Sequence, residues 1–250
     1  MKRGASGVRL NAREVVVAAF RTLRVRWFEF LRALAVPAMG LSLIEYLTSY
    51  DVTTTWKFVL PQLVALLLYV LFAVTCHRLV LKRSGDVPAY GQLMWAWRET
   101  WFATWLVGIT ILAVLAVAPI YTIMISWVGT DPDPEHPLMW LFYVVLLPFY
   151  FLLARLSLVL PAVAVDERPN LPWAWRLGRG NSLPLFILVG ILPWLSTLAL
   201  ASLHRDNASI PESVMLNLVG LAVLAFEIVL LSFAYRVLTG GSLAVRGHAR

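Results

Sequence analysis

The chain has 250 residues, 60% of them hydrophobic and only 14% charged, with a formal net charge of +7. Soluble domains run at about 45–50% apolar and about 25% charged, so a soluble globular fold is excluded, as are disorder and a disulfide scaffold. A mean hydropathy of +0.76 and a lone cysteine, Cys76, leave an integral membrane protein, long enough for about six spans of roughly 20 residues.

Residues Met1–Phe20 are basic but lack the uninterrupted apolar run and small-residue cleavage site of a signal peptide, so entry through an uncleaved span is expected. Asn11–Trp27 reads as a short helix in the headgroup layer. Asn11 is its N-cap, Glu14 follows three residues later, and Val16, Phe20, Leu23 and Trp27 share one face.

Apolar spans are predicted over Phe28–Leu47, Phe58–Cys76, Phe102–Val128, Leu138–Leu160, Ser182–Leu203 and Val214–Leu238. The first is the weakest, since only Ala33–Ile44 is free of charge between Arg32 and Glu45. Pro37, Pro61, Pro119, Pro148 and Pro193 fall inside spans, where membrane helices tolerate them. A second short helix is predicted with Tyr90, Leu93, Met94, Trp97 and Trp101 on one side. A third opens at Asn170 with Pro172 in its first turn.

The charges orient these spans. Nineteen of the 21 basic residues lie before the first span or, as Arg32, at its edge, in the second and fourth connections with their flanks, or in the tail. Only Lys57 and Arg205 fall in the other connections, which are acidic, as in Asp131-Pro132-Asp133-Pro134-Glu135. The positive-inside rule then places both termini in the cytoplasm, and the basic balance needs no nucleic acid to explain it.

A repeat of about 78 residues is expected, in units of about 11–82, 88–160 and 170–240 within one integral membrane domain covering 1–250. Trp95-Ala96-Trp97-Arg98 recurs as Trp173-Ala174-Trp175-Arg176, and Leu106-Val107-Gly108-Ile109 as Leu188-Val189-Gly190-Ile191. Arg24-Val25-Arg26-Trp27-Phe28 resembles Arg98-Glu99-Thr100-Trp101-Phe102, and an arginine recurs near each exit. Each unit is an interfacial helix followed by a helical hairpin. The fold class is therefore all-α, with six transmembrane helices in three parallel repeats about an axis along the membrane normal.

Glu227 is the acid deepest inside a span. Its insertion costs about 2.5–3.5 kcal/mol, which marks it as an intramembrane polar site. A carboxyl protonated or hydrogen-bonded between helices, with Gln62 or Asn217 as candidate partners, is expected; an ion path is the alternative. Arg78, Arg155 and Arg236 sit one turn inside their helix exits, as lipid-headgroup contacts or as anchors complementing the helix ends. His136 and His204 share the outer side with Asp131, Asp133, Glu135, Asp206 and Glu212, but their spacing fits no metal motif. Arg179-Gly180-Asn181 lacks the frame of a phosphate loop. No catalytic constellation, cofactor site or metal site is expected.

Arg155-Leu156-Ser157-Leu158-Val159-Leu160-Pro161-Ala162-Val163-Ala164-Val165-Asp166, followed by Ala174-Trp175-Arg176-Leu177-Gly178-Arg179-Gly180-Asn181, is similar to a known pattern. It resembles the YciC-like bacterial inner-membrane proteins and the related membrane domain attached to some glycerophosphodiester phosphodiesterases. Ala174 departs from it, since a serine commonly precedes the tryptophan there. The resemblance implies a six-helix bacterial inner-membrane protein; no phosphodiesterase domain fits in the remaining residues. The expected role is non-enzymatic, in envelope or lipid organisation, with membrane lipids and other membrane proteins as partners. The alternative is a small permease or channel using Glu227.

Overall fold

The computed structural model describes residues 9–48, 55–82, 86–88, 90–91, 93–128, 137–203 and 210–243. Among these the regular structure is helical throughout, with no strand. A short helix, α1 (Ala12–Val25), precedes α2 (Trp27–Thr48) and α3 (Thr55–Leu81). α4 (Trp97–Val128) and α5 (Pro137–Leu156) follow, then two short helices, α6 (Val159–Ala164) and α7 (Leu171–Leu177). α8 (Ser182–Phe186), a wide π turn (Ile187–Ile191) and α9 (Leu192–Leu203) run on as one rod, and α10 (Ile210–Leu238) ends the fold.

Among the described residues six stretches are long and apolar enough to cross a membrane: Trp27–Ile44, Val59–Leu81, Trp97–Trp127, Val144–Ala164, Ser182–Leu203 and Val214–Leu238. Helices are what lipid demands, because hydrocarbon offers no partner to an open backbone N–H or C=O. Proline costs such a helix one N–H donor. Pro37, Pro61, Pro119 and Pro148 are absorbed inside α2, α3, α4 and α5. Ahead of Pro193 the helix widens instead, and the Leu192 N–H reaches back five residues to the Ile187 carbonyl.

The spans pair in a closed order. α2 packs on α3, α3 on α4, α4 on α5, α5 on α8, the π turn on α10, and α10 on α2. α10 also packs on α3, and both bring fully buried apolar side chains to the core: Val70, Phe72 and Val74 from α3, and Val229, Leu230 and Phe233 from α10. The short helices join the same pattern, α1 lying on α10 and α7 on α5.

α1 begins as the sequence dictates. The Asn11 side chain accepts from the Arg13 N–H at 3.1 Å and donates to Glu14 at 2.8 Å. Its inward face is formed by residues other than that apolar stripe. Val15, Ala18, Ala19 and Thr22 are buried, whereas Phe20 and Trp27, assigned above to a single apolar face, are 64% and 60% exposed. Small side chains let the backbone of α1 approach α10, and large ones turn towards lipid.

The second short helix is not formed over Tyr90–Ala96. The described residues there are non-helical, and α4 starts at Trp97. Gly91 takes φ +75°, and its N–H closes a turn onto the Pro88 carbonyl at 2.9 Å. A Cβ there would stand 2.3 Å from the Ala33 carbonyl oxygen. The connection therefore lies directly on α2. Consequently the two identical tetrapeptides differ in structure: Trp95–Arg98 straddles a helix start, while Trp173–Arg176 lies within α7.

The basic connections converge on one end of the bundle. Arg26 Nη1 donates to the Leu79 carbonyl at 2.6 Å, joining the start of α2 to the end of α3. The Leu10 N–H donates to Asn181 Oδ1 at 2.7 Å, joining the chain's first described residues to the start of α8. Asp131, Asp133, Glu135, His136, His204 and Asp206 lie outside the described residues.

Candidate functional site

Polar chemistry gathers at this basic end, around α4 and the turn after α6. Asp166 sits in that turn with φ +71°, a backbone state that aspartate tolerates better than most residues. Its Oδ1 accepts from Arg98 Nη1 at 2.9 Å, and its Oδ2 from Arg78 Nη1 at 3.2 Å and Lys82 Nζ at 3.3 Å. Burial raises the pKa of Asp166, but the Arg98 hydrogen bond and charge, with Lys82 and Arg78, overcome it. The carboxyl is held below its ordinary range.

Arg98 has a second carboxylate. Glu99, fully buried, accepts from Arg98 Nε and Nη2 at 3.0 and 2.8 Å through Oε1, and from the Ala96 N–H at 2.9 Å through Oε2. That last bond is half of a capping box: an acid at the third helical position covers an otherwise open N–H at the helix start. A buried charge is sustained only when it is paired in this way.

Beside this network opens a cavity of about 700 Å³. Trp97, Trp101 and Trp105, four residues apart on α4, form one wall, and Val163 with Asp166–Pro169 forms the other. Trp97 and Trp101 meet edge-on, with ring centroids 5.9 Å apart. Arg98 and Arg168 supply cations at the wall, and Glu167 a further carboxylate, which hydrogen-bonds Tyr235.

The arginines singled out from sequence occupy three different environments. Arg78 is buried and donates to the Ala164 carbonyl (3.3 Å) and the Asp86 carbonyl (3.4 Å) as well as to Asp166. Its Nε has no partner. Arg155 lies 4.2 Å over the Trp175 ring and 5.3 Å from Phe151, and donates to Ser182. Arg236 is half-buried near the end of α10, where Gly240 (φ +86°) closes the helix. There the Gly241 N–H bonds the Arg236 carbonyl at 2.8 Å and the Gly240 N–H the Val237 carbonyl at 2.9 Å.

Glu227 is half-buried on α10, and its partner is Ser196 of α9 rather than Gln62 or Asn217. Ser196 Oγ also lies 2.8 Å from the Pro193 carbonyl. Deeper still, His77 Nδ1 is 2.7 Å from Ser232 Oγ, itself 2.7 Å from the Ile228 carbonyl. With the serine proton on Ile228, the histidine must donate from Nδ1.

Sequence reading missed Asp166, Glu99, Arg168 and Trp105 as site residues. The spacing of Trp97, Trp101 and Trp105 was the available signal; a helix break assumed near Trp101 hid it. Among the described residues no group of three His, Cys, Asp or Glu side chains is placed to hold a metal ion. No family model, curated protein or solved structure matches this chain.

Proposed function

We propose that this chain is a non-enzymatic bacterial inner-membrane protein, of the YciC-like kind, that organises lipid at the cytoplasmic surface with both termini in the cytoplasm. One observation carries the reading. The basic end of the bundle displays five large aromatic side chains outward, with Phe20, Trp27, Phe28, Trp97 and Trp175 all exposed among arginines. Aromatic rings beside cationic side chains are what a headgroup layer with anionic lipid attracts. Lipids are thus the first partners, and other membrane proteins would be recruited through the lipid they share. The alternative, a small permease using Glu227, draws no support from the cavity, whose walls contain no residue of α10.

Spin-labelled phosphatidylglycerol in reconstituted bilayers tests the reading. The native protein should hold a larger motionally restricted lipid fraction than Phe20→Ser/Trp27→Ser, with both proteins equally folded. Equal fractions would count against a lipid-organising role.

A further inference from the structure

The geometry points to a specific binding site for one anionic phospholipid in the cavity between α4 and the 166–169 segment, with its phosphodiester on Arg168 and Arg98 and its glycerol and upper acyl carbons against Trp97, Trp101 and Trp105. The inference rests on the lipid reading above, and it names the lipid and the residues that hold it.

Charge satisfaction selects the ligand. Asp166 already takes three cations, and Glu167 is bonded to Tyr235. Arg168, by contrast, is exposed at the cavity wall with no ion-pair partner among the described residues. Counted as one cluster, the cations Arg78, Lys82, Arg98 and Arg168 outnumber the carboxylates Glu99, Asp166 and Glu167 by one, so an excess positive charge stands at the cavity. Arg98, fixed at its two carboxylates, is immobilised at the wall and needs no reordering when an anion arrives.

Shape and position select an amphiphile. A volume of about 700 Å³ lies within the range of about 300–1,000 Å³ usual for small-molecule sites. The three tryptophans belong to a membrane-crossing helix, so the apolar wall continues from the charged mouth into the acyl region. A free phosphate would use the arginines and leave the tryptophan wall uncovered. A zwitterionic lipid would add a cation to a cluster that already carries a positive excess. A phosphodiester with one net negative charge, as in phosphatidylglycerol, meets both the charge and the wall.

Native mass spectrometry of the detergent-purified full chain tests this with phosphatidylglycerol, phosphatidylethanolamine and glycerol 3-phosphate as probes. One phosphatidylglycerol should bind in preference to phosphatidylethanolamine, and glycerol 3-phosphate should not displace it. Arg168→Gln, at an exposed position, should weaken binding by about tenfold, the size of one charge-assisted hydrogen bond. Trp101→Ala should weaken it by a similar factor, and Met215→Ala, exposed near the start of α10 and outside the cavity, should leave it unchanged. Equal binding of the two lipids, displacement by glycerol 3-phosphate, or native affinity in Arg168→Gln would each overturn the site. Because Phe20 and Trp27 lie elsewhere, those results would leave the lipid-organising reading to its own test.

Discussion

Asp166 and Arg98 meet at 2.9 Å although 68 residues of chain separate them. The pair closes the basic end of the second hairpin, joining the first turn of α4 to the turn that follows α6. Arg78 and Lys82 bring the end of α3 onto the same carboxylate, so one half-exposed side chain links three chain segments.

Asp166→Asn should isolate the charge in this link. Asparagine also accepts a positive φ, so the backbone is kept while Arg98 and the buried Arg78 lose their shared anion. The expected loss is about 1–3 kcal/mol, towards the lower end because the carboxylate is half-exposed to solvent. The sign with pH follows from the depressed pKa. The stabilisation is complete above the unfolded value, about 3.9 for aspartate, and is lost as pH falls through the lower folded value. Thermal unfolding in detergent should therefore separate the native protein from Asp166→Asn at neutral pH and bring them together in strong acid.

Gly91→Ala should loosen the connection between α3 and α4. The new Cβ would stand 2.3 Å from the Ala33 carbonyl, at a φ of +75° that alanine resists. The strain alone is of order 1–3 kcal/mol. Limited proteolysis should cut between Lys82 and Ala96 faster than in the native protein, with cleavage elsewhere unchanged.

The spans were legible because lipid imposes one rule on the residues that cross it: stay apolar and stay helical. The gathering of Arg26, Arg78, Arg98 and Arg155 at one end was legible for the same reason, through charge. Facing was not. Val16, Phe20, Leu23 and Trp27 share a stripe that would turn inward in water, but in a bilayer the solvent is apolar too. The small side chains of Ala18 and Ala19 decide the packing instead. Asp166 was hidden by distance along the chain, since its partners lie 68, 84 and 88 residues away. The break before α4 was readable in principle from Pro88 and Gly91, a turn pair that outweighs the helical spacing of the aromatics around it.

Orientation is checked by cysteine labelling. In a Cys76→Ala background, cysteines at Gly129 and Ser242 should react with an impermeant thiol reagent from opposite sides of the membrane. Ser242 is exposed and serves better than Gly241, whose added Cβ would lie 2.7 Å from Arg236 Cγ. Ser242 should be protected in intact cells and become reactive once they are opened. Reaction of both sites from one side would mean a different number of spans.

Glu227 separates the lipid-organising reading from the permease. Ser196 Oγ has one proton and two neighbouring acceptors, the Pro193 carbonyl and Glu227 Oε1. All three groups are satisfied when the carboxyl carries a proton to Ser196 and Ser196 gives its own to Pro193. Glu227→Gln keeps a donor in the same place and should change stability by less than about 0.5 kcal/mol. Glu227→Lys places a longer cation against the same serine and should cost about 2–3 kcal/mol, seen as a lower yield of membrane-inserted protein. The deciding measurement is proton flux in vesicles reconstituted with the native protein and with Glu227→Gln. Flux indistinguishable from empty vesicles in both supports a structural carboxyl. A pH-driven flux that Glu227→Gln abolishes, in a protein that still folds, would put Glu227 on a transport path.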